Sequence, residues 1–228
     1  MKKIFLAFIV LLSTTLFAKT IAIVQKVDGI VKVKHKKSIR KMKVKKGYKV
    51  QQGDIISTYR KSHLVLQLLD RSKIALDERS TIAFSDANHI AQKEGKVYYK
   101  ITHRQKKNHL KIKTQFAIIG IKGTTFIVDT QKNEGYVALK EGKIGIASIK
   151  EEFNLYKKKV MDDFMRFKQQ QEAQFQEYKK QYSDYTLTVT KAFDLEAGHK
   201  VRFKPDAVVE EKIDSKRDFS FFERMIRK

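Results

Sequence analysis

The sequence predicts a mainly β protein, an antiparallel roll, sandwich or short solenoid, that carries one long α-helical insertion and a short helical C-terminal tail. Three observations predict it. Between Ile21 and Ile149, apolar and β-branched residues recur at every second position, the period of a half-buried strand. Glycines such as Gly29, Gly53, Gly95 and Gly142 fall mostly between those runs, and the chain has a single proline, so the pattern is one of short, regularly spaced strands and not of parallel βαβ units. From Glu151 to Tyr182 there is no Gly or Pro at all, and Lys, Glu, Gln and aromatic residues crowd the stretch, as a helix requires.

Taken in order, Lys2 and Lys3 make a charged start, Ile4 to Leu12 an apolar run, and Leu16-Phe17-Ala18 a cleavage site. Residues 1–18 therefore read as a secretory signal peptide cut after Ala18, which places the mature chain in the periplasm. A retained inner-membrane anchor is the competing reading. Ile4 to Ala18 is shorter than the ~18–20 residues a spanning helix needs, and Ser13, Thr14 and Thr15 weaken it further.

Residues 19–149 form the predicted β-domain. Val31 and Val33 point to one face and Lys32 and Lys34 to the other; His63 to Leu69 and Lys73 to Leu76 repeat the scheme around a turn at Asp70-Arg71-Ser72. Further strands are expected at Lys96 to Thr102, Leu110 to Thr114, Phe116 to Ile119, Thr125 to Thr130, Gly135 to Lys140 and Lys143 to Ile149. Residues 150–184 are the expected helix. Its stripe runs Phe153, Tyr156, Val160, Phe164, Phe167, Gln171, Phe175, Tyr178, Tyr182, an 11-residue repeat that stays nearly straight along one helical face and either packs on the protein's own sheet or meets a partner helix. Residues 185–204 read as closing strands of the β-domain. In residues 205–228, Val208, Val209, Ile213, Phe219, Phe221, Phe222, Met225 and Ile226 alternate with charges, predicting one or two short docking helices.

Charge and cysteine content bound the function. The formal charge is +24, and removal of Lys2 and Lys3 leaves 24 − 2 = +22, which predicts attraction to polyanions or anionic lipid; a lysine-rich compositional bias is the competing reading. With no cysteine, disulfides, thiolate metal sites, a lipobox and a cysteine nucleophile all drop out. The six histidines are scattered, no serine-nucleophile motif is present, and no enzyme, cofactor or metal is expected. Asp162-Asp163 reads as solvated charge, and Asp54, Asp70 and Asp129 as turn caps. Gly120-Ile121-Lys122-Gly123 has the spacing of a Gly-x-x-Gly RNA-binding loop, but its flanks are strand-like where that loop joins helices, and no Gly-Lys-Ser/Thr phosphate loop follows, so it is expected to be a turn.

Several motifs in order resemble the FecR domain, a β-rich periplasmic module of iron-uptake regulators and other envelope proteins. Gly53-Asp54-Ile55-Ile56-Ser57-Thr58 resembles the family's Gly-Asp-x-Ile-x-Thr step. Asp70, Ser72, Ile74 and Leu76 resemble its paired strands, with Arg71 in place of the usual turn glycine. Gly95-Lys96-Val97 resembles the next turn and strand. Ile119-Gly120-Ile121-Lys122-Gly123-Thr124-Thr125-Phe126 resembles its most characteristic segment, with Lys122 standing for an arginine, and Gly135 to Gly142 and Ala197-Gly198-His199-Lys200-Val201 resemble closing elements. The resemblance implies a non-enzymatic binding or scaffold module, possible links to signalling included. It does not bring the cytoplasmic sigma-factor-binding segment of the regulators, so no cytoplasmic sigma factor is expected as partner.

Two function classes follow. The first is interaction with an envelope protein, or a homo-oligomer, through the aromatic stripe of Phe153, Tyr156, Val160, Phe164, Phe167, Phe175 and Tyr178 or an open sheet edge. The second is binding of an anionic envelope polymer, such as lipopolysaccharide, peptidoglycan, anionic lipid or DNA. Lys32 to Lys49 holds ten Lys or Arg and Lys96 to Lys113 seven, with no acid in either, and Lys41, Lys43, Lys45, Lys46, Lys106 and Lys107 are the candidates, with Tyr48, Tyr59, Tyr98 and Tyr99 nearby.

Overall fold

The computed structural model describes residues 19–36, 38–102, 109–121, 123–130, 134–149, 152–158 and 185–227. Their strands are β1 (Thr20–Asp28), β2 (Val31–Lys34), β3 (Lys41–Lys43), β4 (Lys49–Gln51), β5 (Ile55–Thr58), β6 (His63–Leu68), β7 (Lys73–Leu76), β8 (Thr81–Phe84), β9 (His89–Lys100) and β10 (Leu110–Lys113). These are followed by β11 (Ala117–Ile121), β12 (Thr125–Thr130), β13 (Gly135–Glu141), β14 (Lys143–Ser148), β15 (Phe153–Lys158), β16 (Tyr185–Thr190), β17 (Ala192–Glu196), β18 (His199–Phe203) and β19 (Val208–Lys212), and then helix α1 (Ser215–Arg227).

Pairing divides the strands into two layers. The first runs β4-β1-β6-β7-β9-β12-β13-β18-β19-β15-β16. The second runs β3-β2-β5-β8-β9-β10-β11-β14-β17. Neighbours are antiparallel except β9 with β10 and β15 with β19. Among the described strands, neither layer closes on itself.

Strand β9 belongs to both layers, and Gly95 is where it crosses. Residues 89–94 pair within the second layer, and residues 95–100 within the first. Gly95 has φ +85°, and a Cβ there would sit 2.3 Å from Ser80 Oγ and 2.5 Å from Ser80 Cα, so the corner needs glycine on both counts. Beside it the buried Gln92 amide donates to the carbonyls of Gly95 (2.8 Å) and Val128 (2.9 Å), and Tyr99 donates its hydroxyl to Gln92 (2.9 Å). The backbone groups that the corner exposes are thereby satisfied inside the core.

The facing sides of the layers bury one continuous core, including Val33, Ile56, Ile82, Phe84, Leu64, Leu66, Ile74 and Phe126. A second cluster lies on the outer face of the first layer, where Val65, Ala75, Tyr98, Ile127 and Ala138 meet Phe219, Phe222, Met225 and Ile226 of α1. This double burial explains why all six residues of β12 are buried: Phe126 and Val128 face the main core and Ile127 faces the helix. Asp214 accepts from the Arg217 amide and Asp218 accepts from the Asp214 amide at the start of α1, and Lys73 Nζ donates to the Ile226 carbonyl at its end (3.0 Å).

Three expectations need correction. Residues 153–158 are not helical: they form strand β15, antiparallel to β16. Phe153 and Leu155 turn into the core while Asn154 and Tyr156 face outward, and Phe153 packs edge-on to Phe193 (5.6 Å) and against Phe203 (5.7 Å). Contacts with residues some 40 positions downstream select the period of two over the helical stripe. The rest of the predicted helix, with Val160, Phe164, Phe167, Phe175 and Tyr178, lies outside the described residues. In the tail, Val208 and Val209 belong to strand β19, and only the later part is helical. Asp129 sits within β12, not at a turn.

Candidate interaction surfaces

The motif residues build turns and joints. Asp54 is 1% exposed; it accepts from the Gln51 amide (3.0 Å) and the Tyr48 hydroxyl (3.1 Å), and His35 Nδ1 lies 2.6 Å away. Burial, and then the Asp54 charge, push the Tyr48 phenol well above its ordinary value. Thr58 Oγ1 donates to the Asp77 carbonyl (2.6 Å) and accepts from the Ser80 amide (2.9 Å). Asp70 accepts from the Ser72 amide (3.0 Å), and Ser72 Oγ accepts from the Thr102 amide (3.0 Å). Arg71 between them has φ +67°, a conformation that favours glycine.

Gly53 and Gly123 hold positive φ at turns, whereas Gly120 lies inside β11 opposite Lys111 and Gly145. Thr124 exchanges two backbone hydrogen bonds with Ile101, Phe126 stacks on Tyr99 with centroids 4.9 Å apart, and the Gly198 amide donates to the Leu139 carbonyl. Each of these groups is used inside the fold.

The predicted aromatic stripe does not form a surface in the described region. Phe153 is buried and Tyr156 is half-buried on the outer face of the first layer. The apolar surface lies next to them. Strand β16 pairs with β15 and with no other described strand, so among the described strands it stands at the end of the first layer. Its Leu187 is 53% and its Val189 58% exposed, and Tyr156 and Val209 continue the row inward from Leu187. Alternation marks this segment as a strand, but nothing local marks it as the last of the described strands in its layer.

The lysines are partly brought together. Val31, Val33, Leu110 and Ile112 are buried, so Lys32, Lys34, Lys111 and Lys113 all point to the outer face of the second layer. Lys43 and Lys41 stand opposite Lys32 and Lys34. One cross-strand row reads Lys41, Lys34, Ile55, Ala83, Ala91, Lys113, Ile118. The β2 and β10 columns are four strand steps apart, about 19 Å, with small or short side chains between. Lys45 and Lys46 are exposed beyond β3, and Lys106 and Lys107 lie outside the described residues. Of the nearby tyrosines, Tyr98 and Tyr99 are buried core, and burial pushes both phenols well above their ordinary value. Tyr59 is covered by Lys32 Nζ, 5.2 Å from its ring centre.

Against known proteins, residues 54–145 match the family model described as FecR protein. A comparison with curated proteins returns no match. Two crystal structures of a candidate anti-sigma factor from Parabacteroides distasonis ATCC 8503 resemble the chain with TM-score 0.51 and 10% sequence identity, each over 74% of this chain. The chain spans 64% and 63% of those two chains. At that identity the likeness is one of fold.

Proposed function

We propose, from the match of residues 54–145 to the FecR family model, that the chain is a signalling-related protein-interaction module acting in the periplasm, reached through the signal peptide of residues 1–18. The observation that carries this reading is the β16 edge. Exposed edges in monomeric proteins are blunted by Lys, Pro or bulges. Here Tyr185-Thr186-Leu187-Thr188-Val189-Thr190 has no charge and no proline, in a chain with 49 Lys and Arg among 228 residues. A partner strand added along it gains main-chain hydrogen bonds, while Leu187 and Val189 supply an apolar contact on one face. Val160, Phe164, Phe167, Phe175 and Tyr178 join the same reading as a second contact, tested separately by Phe164→Ser with Phe175→Ser.

The test is retention of an envelope protein by the immobilised full chain at high salt, compared with a Leu187→Lys, Val189→Lys double variant. Lysine on a free edge leaves the fold intact, so the expected result is loss of retention with an unchanged unfolding midpoint. Equal retention by the double variant refutes the edge as the docking element.

The lysine columns on the second layer favour a second reading, binding of an anionic envelope polymer. Lys34→Glu, Lys41→Glu, Lys111→Glu and Lys113→Glu together then abolish a polyanion binding that also weakens steeply with salt. The β16 variant leaves it unchanged.

A further inference from the structure

A groove runs between the C-terminal half of α1 and strands β1 and β6, with a volume of about 550 Å³. That is within the ~300–1,000 Å³ of small-ligand sites. Val65, Phe221 and Met225 contribute its apolar surface, and Lys26, Arg224 and Arg227 surround it, with Asp28 the acid among its lining residues. An adjoining recess of about 210 Å³ shares Lys26, Val65, Met225 and Arg227 and adds Lys46 and Lys73.

Three other cations on the same sheet face have acid neighbours. Lys140 pairs with Glu223, Lys96 lies 3.6 Å from Asp129, and Arg202 lies 3.2 Å from Glu211. Lys26, Lys46, Arg224 and Arg227 pair with no acid among the described residues, although Lys26 is half-buried. Lys26 stands opposite Val65, so its ammonium rises beside the apolar floor. Phe221, 40% exposed, is braced edge-on by His63 (5.2 Å) and Phe222 (5.2 Å), which keeps a large ring at the groove mouth without covering it.

Unneutralised cations around a concave carbon surface are complementary to a ligand with one anionic head and one apolar tail. We propose that this groove binds a single-chain anionic amphiphile, a free long-chain carboxylate, with its head among Lys26, Arg224 and Arg227 and its chain over Val65, Met225 and Phe221. The concavity and the continuation into the second recess fit one extended chain and not a flat bilayer. The site is separate from the β16 edge, so its failure leaves the interaction reading standing.

The probe is dodecanoate below its micelle concentration, titrated into the full chain and followed by calorimetry and by the methyl resonances of Val65 and Met225. Dodecanoate is expected to bind with shifts at both methyls, and dodecyltrimethylammonium to bind at least tenfold more weakly. Lys26→Glu with Arg227→Glu should weaken dodecanoate at least tenfold. Phe221→Ala, a surface change that spares the core, should weaken it severalfold with the unfolding midpoint unchanged. Lys34→Glu with Lys113→Glu, on the other layer, should leave it unaltered. Equal affinity for the cationic amphiphile overturns the proposal, because adsorption is then apolar only. So does equal binding of phosphatidylglycerol vesicles free of fatty acid, which would assign the cations to a bilayer surface, or preference for an acidic peptide over dodecanoate.

Discussion

Replacing Phe222 by alanine removes the ring that most directly ties α1 to the first layer. Phe222 is 2% exposed and stacks on Tyr98, with centroids 5.6 Å apart and planes 9° from parallel. Truncating a buried phenylalanine to alanine costs about 3–5 kcal/mol. The helix buries Phe219, Phe222, Met225 and Ile226, whose gross burial is about 1.5–3 kcal/mol each. One substitution thus removes a large share of what holds α1 down. The main core between the layers contains none of these four side chains. The expected outcome is that α1 detaches while the two layers stay paired. Trypsin should then cut at Arg217 and Arg224 under conditions where the strand amides keep their hydrogen-exchange protection, and Tyr98 should lose its near-ultraviolet circular dichroism. Loss of helix and strands in one cooperative transition, or a change below about 1 kcal/mol, would refute the separation of α1 docking from the core.

Other expectations test particular joints. Gly95→Ala combines a left-handed conformation with overlap onto Ser80 and should destabilise by about 3 kcal/mol or more, whereas Gly198→Ala, at φ +86° with no atom within 4 Å, should lose only about 1 kcal/mol; urea titration compares them. Asp54→Ala strands the Gln51 amide and the Tyr48 hydroxyl and should lower stability by about 2–4 kcal/mol, with Asp54→Asn milder because it keeps an acceptor. Burial holds the Asp129 carboxyl above its ordinary value, against the lowering influence of Lys96. The folded chain therefore holds that proton more tightly than the unfolded chain, and this contribution to stability is lost as pH rises through the raised value. Lys96→Met removes the nearby cation, so the loss should deepen and extend upward from about pH 4, seen in unfolding midpoints measured from pH 4 to 7.

The turn chemistry was largely legible because turn residues act on their own neighbours. The Gly-Asp step at Gly53 and Asp54 predicted a turn, and Asp54 caps it from within the core. Arg71 stands where the resemblance to the FecR domain expects glycine, and its backbone keeps the glycine-like φ of +67°. Residues 208–209 belong to the tail expected to form short helices, because its apolar residues are interspersed with charges. They lie instead between β18 and β15, and only that pairing makes them a strand. Phe153 failed for the same reason: its spacing to Tyr156 fits a helix, while its ring is held by Phe193 and Phe203.

The candidate surfaces show the same division. That Lys32, Lys34, Lys111 and Lys113 project away from their own apolar neighbours follows from strand alternation alone. That β2 and β10 share one layer, four strands apart, depends on β9 lying between them and crossing layers at Gly95. The groove beside α1 had no sequence signal, since Lys26, Val65 and Arg227 are far apart along the chain.

The sequence by itself determined the β class, the inward and outward faces of most strands, the turns and the apolar stripe of α1, because periodicity and turn preference are properties of a short stretch of chain. The tertiary structure alone decided which strands are neighbours, which of the described strands stands last in its layer, and which outer face is covered by a helix. Those outcomes rest on hydrogen bonds and packing between residues distant in sequence, and a strand's own residues are the same whether or not another strand lies beside it.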